Sequence, residues 1–166
     1  MTRIKDLAPY RYSDTTTLQL PGSVYVSFRH APERTLAVGW LGNTCPSTGP
    51  VDGELLDAIR ELLRHQRISL TRGFHSCGIC GPVAWADMQE GEAKVLAGEF
   101  GNGELRVPGE GGVTYAAPVM LWHYVSAHGY RPPPAFAAAA KEFTASGRHR
   151  DMTVLAPPDA EVHRFD

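Results

Sequence analysis

Within the six residues from His75 to Cys80, one histidine and two cysteines bring together three side chains able to bind a soft or borderline cation. Cys77 and Cys80 are separated by Gly78 and Ile79, so a single tight bend places both sulfurs within reach of one ion. Zinc binds thiolate at about 2.3 Å, and its charge lowers the proton affinity of a sulfur pair. A Cys-x-x-Cys pair is half of a tetrahedral site, so further donors must come from elsewhere. His75 lies two residues before Cys77, and His123 and His128 lie about forty residues on, five apart. That gap falls within the spacing of paired zinc histidines. The expected ligands are Cys77, Cys80 and two of His75, His123 and His128, with zinc as the cofactor.

Local geometry ranks the histidines. In an extended segment His75 and Cys77 share a face. On a regular helix, positions five apart are rotated by about 140°, so His123 and His128 both ligate only if the last turn unwinds, which Gly129 permits. Rival readings of the pair are two reduced, buried thiols or a redox couple. A redox couple should follow a strand and open a helix, whereas Gly81 and Pro82 follow Cys80. A zinc deaminase would need a glutamate two residues after its histidine, where this chain has Cys77. No Gly-x-Ser-x-Gly elbow and no His-Glu-x-x-His helix is present. Glu104 is a candidate general base if the ion keeps an open position, with an exposed strand position as its alternative. His30, His65, His149 and His163 read as surface residues, and Cys45 is left over.

The elements that must position these groups follow from pattern. Leu55, Leu56, Ile59, Leu62 and Leu63 fall on one helical stripe behind Asp52, a suitable N-cap, which predicts a helix over 53–65. Residues 24–28 and 36–40 predict an antiparallel hairpin. Segments 93–98, 103–107 and 113–115, punctuated by glycine-rich turns, predict a three-stranded meander. Pro118 opens a predicted helix to 128, and Pro132 to Pro134 lead into a last one, with Phe136, Ala140 and Phe143 in register and Gly147 as its stop. The expectation is an α+β fold: an antiparallel sheet of hairpin plus meander, packed against about three helices, with a zinc-pinned loop. The predicted organisation is a peripheral arm over 1–22, one domain over 23–147 and a surface tail over 148–166.

With 166 residues, 43% of them hydrophobic, the chain can bury one core. A formal charge of −2 with no basic stripe argues against nucleic acid as a partner. No apolar run is long enough to span a bilayer, and the charged start predicts a cytoplasmic protein without membrane contact. Trp40, Trp85, Trp122, Tyr124 and Tyr130 read as core and site walls.

Taken together, the His75–Cys80 block, residues 101–107, residues 115–118 and the block from His123 to Pro133 resemble a group of small bacterial proteins of uncharacterised function. The resemblance covers roughly residues 70–143, leaves the first 50 residues outside, and implies only that these blocks act together. Two functions stay open. One is a binding or regulatory module with a structural zinc and a protein or small-molecule partner. The other is a zinc hydrolase or lyase with an open coordination position.

Overall fold

The computed structural model describes residues 2–71, 73–82 and 91–164. It is an α+β fold built on two three-stranded sheets. In the first, β1 (Thr15–Leu20), β2 (Val24–Arg29) and β6 (Glu161–Arg164) run antiparallel in the order β1-β2-β6. The second has the order β3-β5-β4, with β3 (Thr35–Ala37) parallel to β5 (Thr114–Pro118) and β4 (Glu104–Pro108) antiparallel to it. Helices α1 (Gly53–His65), α2 (Gly91–Leu96), α3 (Leu121–His128) and α4 (Pro134–Ala145), with short 3-10 turns at Glu110–Gly112, Arg148–Arg150 and Met152–Leu155, complete the described elements.

Helix α1 forms where the apolar stripe predicts it. The Asp52 carboxylate accepts the Leu55 N–H at 3.1 Å, and Leu55, Ala58, Ile59, Leu62 and Leu63 are buried. Helix α4 turns Phe136, Ala140 and Phe143 inward, and the Phe136 ring meets Tyr115 of β5 edge-on at 5.7 Å. Burying each such large side chain contributes about 1.5–3 kcal/mol relative to leaving it in water, so α1, α3 and α4 together form the main core against the β3-β5-β4 sheet.

Several local expectations are corrected. The segment 24–28 does form a strand, but it pairs with β1 and β6, while residues 35–37 join β5 in parallel. The predicted hairpin between these two segments is therefore absent among the described residues. The predicted meander keeps only its β4–β5 step, because residues 91–96 coil into α2 with Val95 buried. The helix expected from Pro118 begins at Leu121, Pro118 being the last residue of β5.

The opposite face of the second sheet is covered by the start of the chain. Tyr10 N–H donates to Thr35 O at 2.7 Å and Leu7 N–H to Ala37 O at 2.8 Å, laying residues 4–10 along β3. Tyr10, Ala37, Trp40 and Ala116 are buried there. Trp40 Nε1 donates to Ala116 O at 2.9 Å, which satisfies the buried indole. No described helix is long and apolar enough to cross a membrane.

Candidate metal centre

Two segments meet at the site. In the first, His75 exchanges both backbone hydrogen bonds with Gly101, each 2.8 Å, which holds the chain extended as it enters the turn at 78–80. Cys77, two residues on, is only 2% exposed and belongs to the main core. At Gly78 a Cβ would stand 2.8 Å from the carbonyl oxygen of Gly42, so only glycine lets the turn close against the 41–44 loop. Cys80 emerges at the surface.

The second segment is α3. Leu121, Tyr124 and Val125 anchor it in the core, which leaves His123 and His128 half-buried. Gly129 ends the helix in the left-handed conformation (φ 62°), and its N–H reaches Tyr124 O five residues back instead of four. This widened last turn brings the imidazoles together across the 140° that a regular helix would put between them. Their ring centroids are 5.1 Å apart.

The four donors converge. Cys80 Sγ lies 3.3 Å from His123 Nε2 and 3.3 Å from His128 Nε2, and Cys77 Sγ lies 3.3 Å from His128 Nε2. All four ligand atoms fall within 4.8 Å of one another. A tetrahedral zinc with ordinary bond lengths would separate sulfur from nitrogen by about 3.6 Å, and 3.3 Å corresponds to an S–metal–N angle of about 100°. A pair of thiol–imidazole hydrogen bonds would account for individual contacts, but not for the closure of all four atoms around one point. The cluster could hold a metal ion.

The electrostatics fit a group completed by a cation. Burial, followed by the hydrogen bond that the Cys80 thiol gives to Cys77 and the charge of Cys77, pushes the Cys80 thiol above its ordinary range. Burial first, then His128, holds His123 below the usual histidine range and so neutral, the form a ligand needs. Tyr124 adjoins the site with its hydroxyl buried and, among the described residues, without a hydrogen-bond partner, and its ionisation is pushed up by burial and then by Cys77 and Cys80. It is a spare donor in the neighbourhood of two sulfurs.

The five residues singled out in the sequence thus divide four to one. Cys77, Cys80, His123 and His128 come together, whereas the exposed His75 is outside the group and lines a separate cavity with Tyr12, Trp40 and Met120. Cys45 is half-buried, its thiol directed at Ser47 O at 3.7 Å, and it too stays outside the four. Trp85 lies outside the described residues. Glu104 is neither exposed nor poised as a base: it is 5% exposed, accepts a hydrogen bond from Tyr10 and pairs with Arg106 at 2.5 Å. His149, expected at the surface, is 2% exposed. It meets Glu61 and His65, a constellation whose sequence signal was the i, i+4 spacing of Glu61 and His65 on α1.

A family model described as a domain of unknown function, DUF7919, matches residues 2–141. The chain belongs to this family. The match takes in both segments of the Cys/His cluster of this DUF7919 chain and also residues 2–50, most of the stretch that the resemblance drawn from the sequence left out. No curated protein and no solved structure matches it significantly.

Proposed function

We propose that the chain is a binding or regulatory module stabilised by a structural zinc ion held by Cys77, Cys80, His123 and His128. The observation that carries this reading is the approach of two thiols and two imidazoles, from segments more than forty residues apart, to within 4.8 Å of one another. Two sulfurs and two nitrogens are a donor set that zinc takes tetrahedrally, and four protein ligands leave no position for water or substrate. The ion would tie the Cys77–Cys80 turn, which carries little regular structure of its own, to the end of α3. The protein supplies the rest of the clamp: Gly129 shapes the last turn for His128, and the buried Leu121 and Val125 fix the helix beneath it.

A hydrolase or lyase needs one ligand fewer or an expanded shell. The convergence of four side chains, one of them Cys77 in the core, favours the closed site. The nearby cavity that His75 lines has a volume of about 50 Å³, space for a few waters, which gives little support to a sizeable small-molecule ligand there.

Metal analysis of the native protein beside Cys80→Ser, His123→Ala and His128→Ala tests the reading. The expected result is zinc in the native chain and loss of bound zinc together with thermal stability in each variant. Unchanged zinc in all three would overturn it.

A further inference from the structure

The far end of α1 carries a second, chemically different set of ligands. Glu61 and His65 lie one helical turn apart on the same face, and His149, in the short turn of 3-10 helix at Arg148–Arg150, reaches them from across the α1–α4 packing. Glu61 Oε2 is 3.6 Å from His65 Nε2 and 3.6 Å from His149 Nε2. The two imidazoles stand edge to face at 5.6 Å, and the three ligand atoms lie within 4.8 Å of one another. A tetrahedral metal with two imidazoles and a carboxylate would set oxygen and nitrogen about 3.4 Å apart.

His149 is the second, independent observation. It is 2% exposed and packs edge-on against Phe143 at 6.3 Å; among the described residues Nδ1 has no hydrogen-bond partner and Nε2 meets only the Glu61 carboxylate, at 3.6 Å, beyond hydrogen-bond distance. A buried imidazole left so is costly unless something completes it. Arg64 occupies only Glu61 Oε1, at 2.8 Å. Arg150 stands 3.8 Å from Oε2 on a side chain that is 67% exposed, so it can swing into solvent when a cation arrives. Glu61 and His65 sit at the C-terminal end of α1, where the helix dipole favours positive charge. Glu61 and His149 also line an open groove shared with Asp57 and Lys141, so solvent can reach the cluster.

The geometry points to a second divalent metal site formed by Glu61, His65 and His149, with three protein ligands and at least one open position. Its nitrogen–oxygen donor set suits zinc, nickel or cobalt, and it differs from the Cys/His site in having no sulfur and an exchangeable shell. The inference does not depend on the Cys/His site. The full chain, stripped by chelator, is titrated with cobalt(II), and bound ions are counted by equilibrium dialysis in the native protein and in His65→Ala. That variant is chosen because the His65 side chain is 40% exposed and its loss leaves the core intact. The expected result is one ion fewer per chain in His65→Ala, and again in Glu61→Gln, with the thiolate-to-cobalt charge-transfer band unchanged. That band reads the Cys/His site separately. An equal number of ions in native protein and both variants would overturn the second site.

Discussion

Two polar clusters lie on opposite sides of the β3-β5-β4 sheet, and they solve burial in different ways. Beneath the N-terminal segment, Glu104 and Arg106 are 5% and 2% exposed, yet the cluster neutralises itself: the carboxylate takes the Arg106 guanidinium at 2.5 Å and the Tyr10 hydroxyl, and the guanidinium stacks 4.7 Å above the Tyr10 ring. On the other side, Cys77, Cys80, His123 and His128 include no side chain of fixed positive charge. The first cluster balances its own charge, although Arg106 Nε and Nη2 find no hydrogen-bond partner among the described residues. The second gathers electron-pair donors around a point that a cation would fill. This contrast is a stronger argument for a metal than the cysteine spacing by itself.

The contrast breaks most sharply if each cluster is cut. Arg106→Met strands the Glu104 carboxylate in the interior and is expected to cost about 3–5 kcal/mol in urea denaturation, with the same loss whether or not a chelator is present. Were that loss to disappear on adding chelator, the sheet cluster would be metal-linked and the distinction lost. Native protein with EDTA should lose about 2.7 kcal/mol if free zinc had stood at a hundred times its dissociation constant, and Cys80→Ser should start near that lower stability and respond little to EDTA. Equal melting curves with and without EDTA would place both clusters in the same self-sufficient class.

Smaller effects sharpen the boundary of the site. His75→Ala is expected to keep the native zinc content, since the imidazole is outside the four-atom group; metal loss there would redraw the shell. Asp52→Ala, far from both clusters, removes the cap of α1 and should cost about 1 kcal/mol with no change in metal. Lys141 first, and then the Leu55 N–H, hold the Asp52 carboxyl below the ordinary carboxylate range. Its contribution is therefore present above the unfolded-chain value of about 3.9 and fades as the pH falls through the lower folded value. A wild-type advantage over Asp52→Ala that persists undiminished at pH 2 would contradict that assignment.

What could be read from the chain without coordinates tracks how local the physics is. Helix α1 is legible because its stripe, cap and length agree, and α4 because Phe136, Ala140 and Phe143 repeat with the helical period. Cys77 and Cys80 are legible because chelation by a two-residue bend is itself a local property. Helix α2 is not, since six residues between glycines carry too little periodicity to separate a helix from a strand. The parallel pairing of β3 with β5 joins residues almost eighty positions apart and has no local signature.

Burial on both faces of β4 misleads in a similar way. Alternation sends Leu105 and Val107 to the core and Glu104 and Arg106 to what reads as solvent, but residues 4–10 fold back over that face. His149 is hidden by the same kind of tertiary cover, between two exposed arginines in sequence and against Phe143 and His65 in space. The choice among the three histidines also rests on a nonlocal detail. His123 and His128 converge only because the end of α3 widens at Gly129, a possibility that spacing suggests and geometry realises.

The most direct measurement is zinc X-ray absorption on the full chain loaded with one equivalent of zinc. The account predicts a first shell of two sulfurs at about 2.3 Å and two imidazole nitrogens at about 2.0–2.1 Å. A shell of nitrogen and oxygen alone would contradict it.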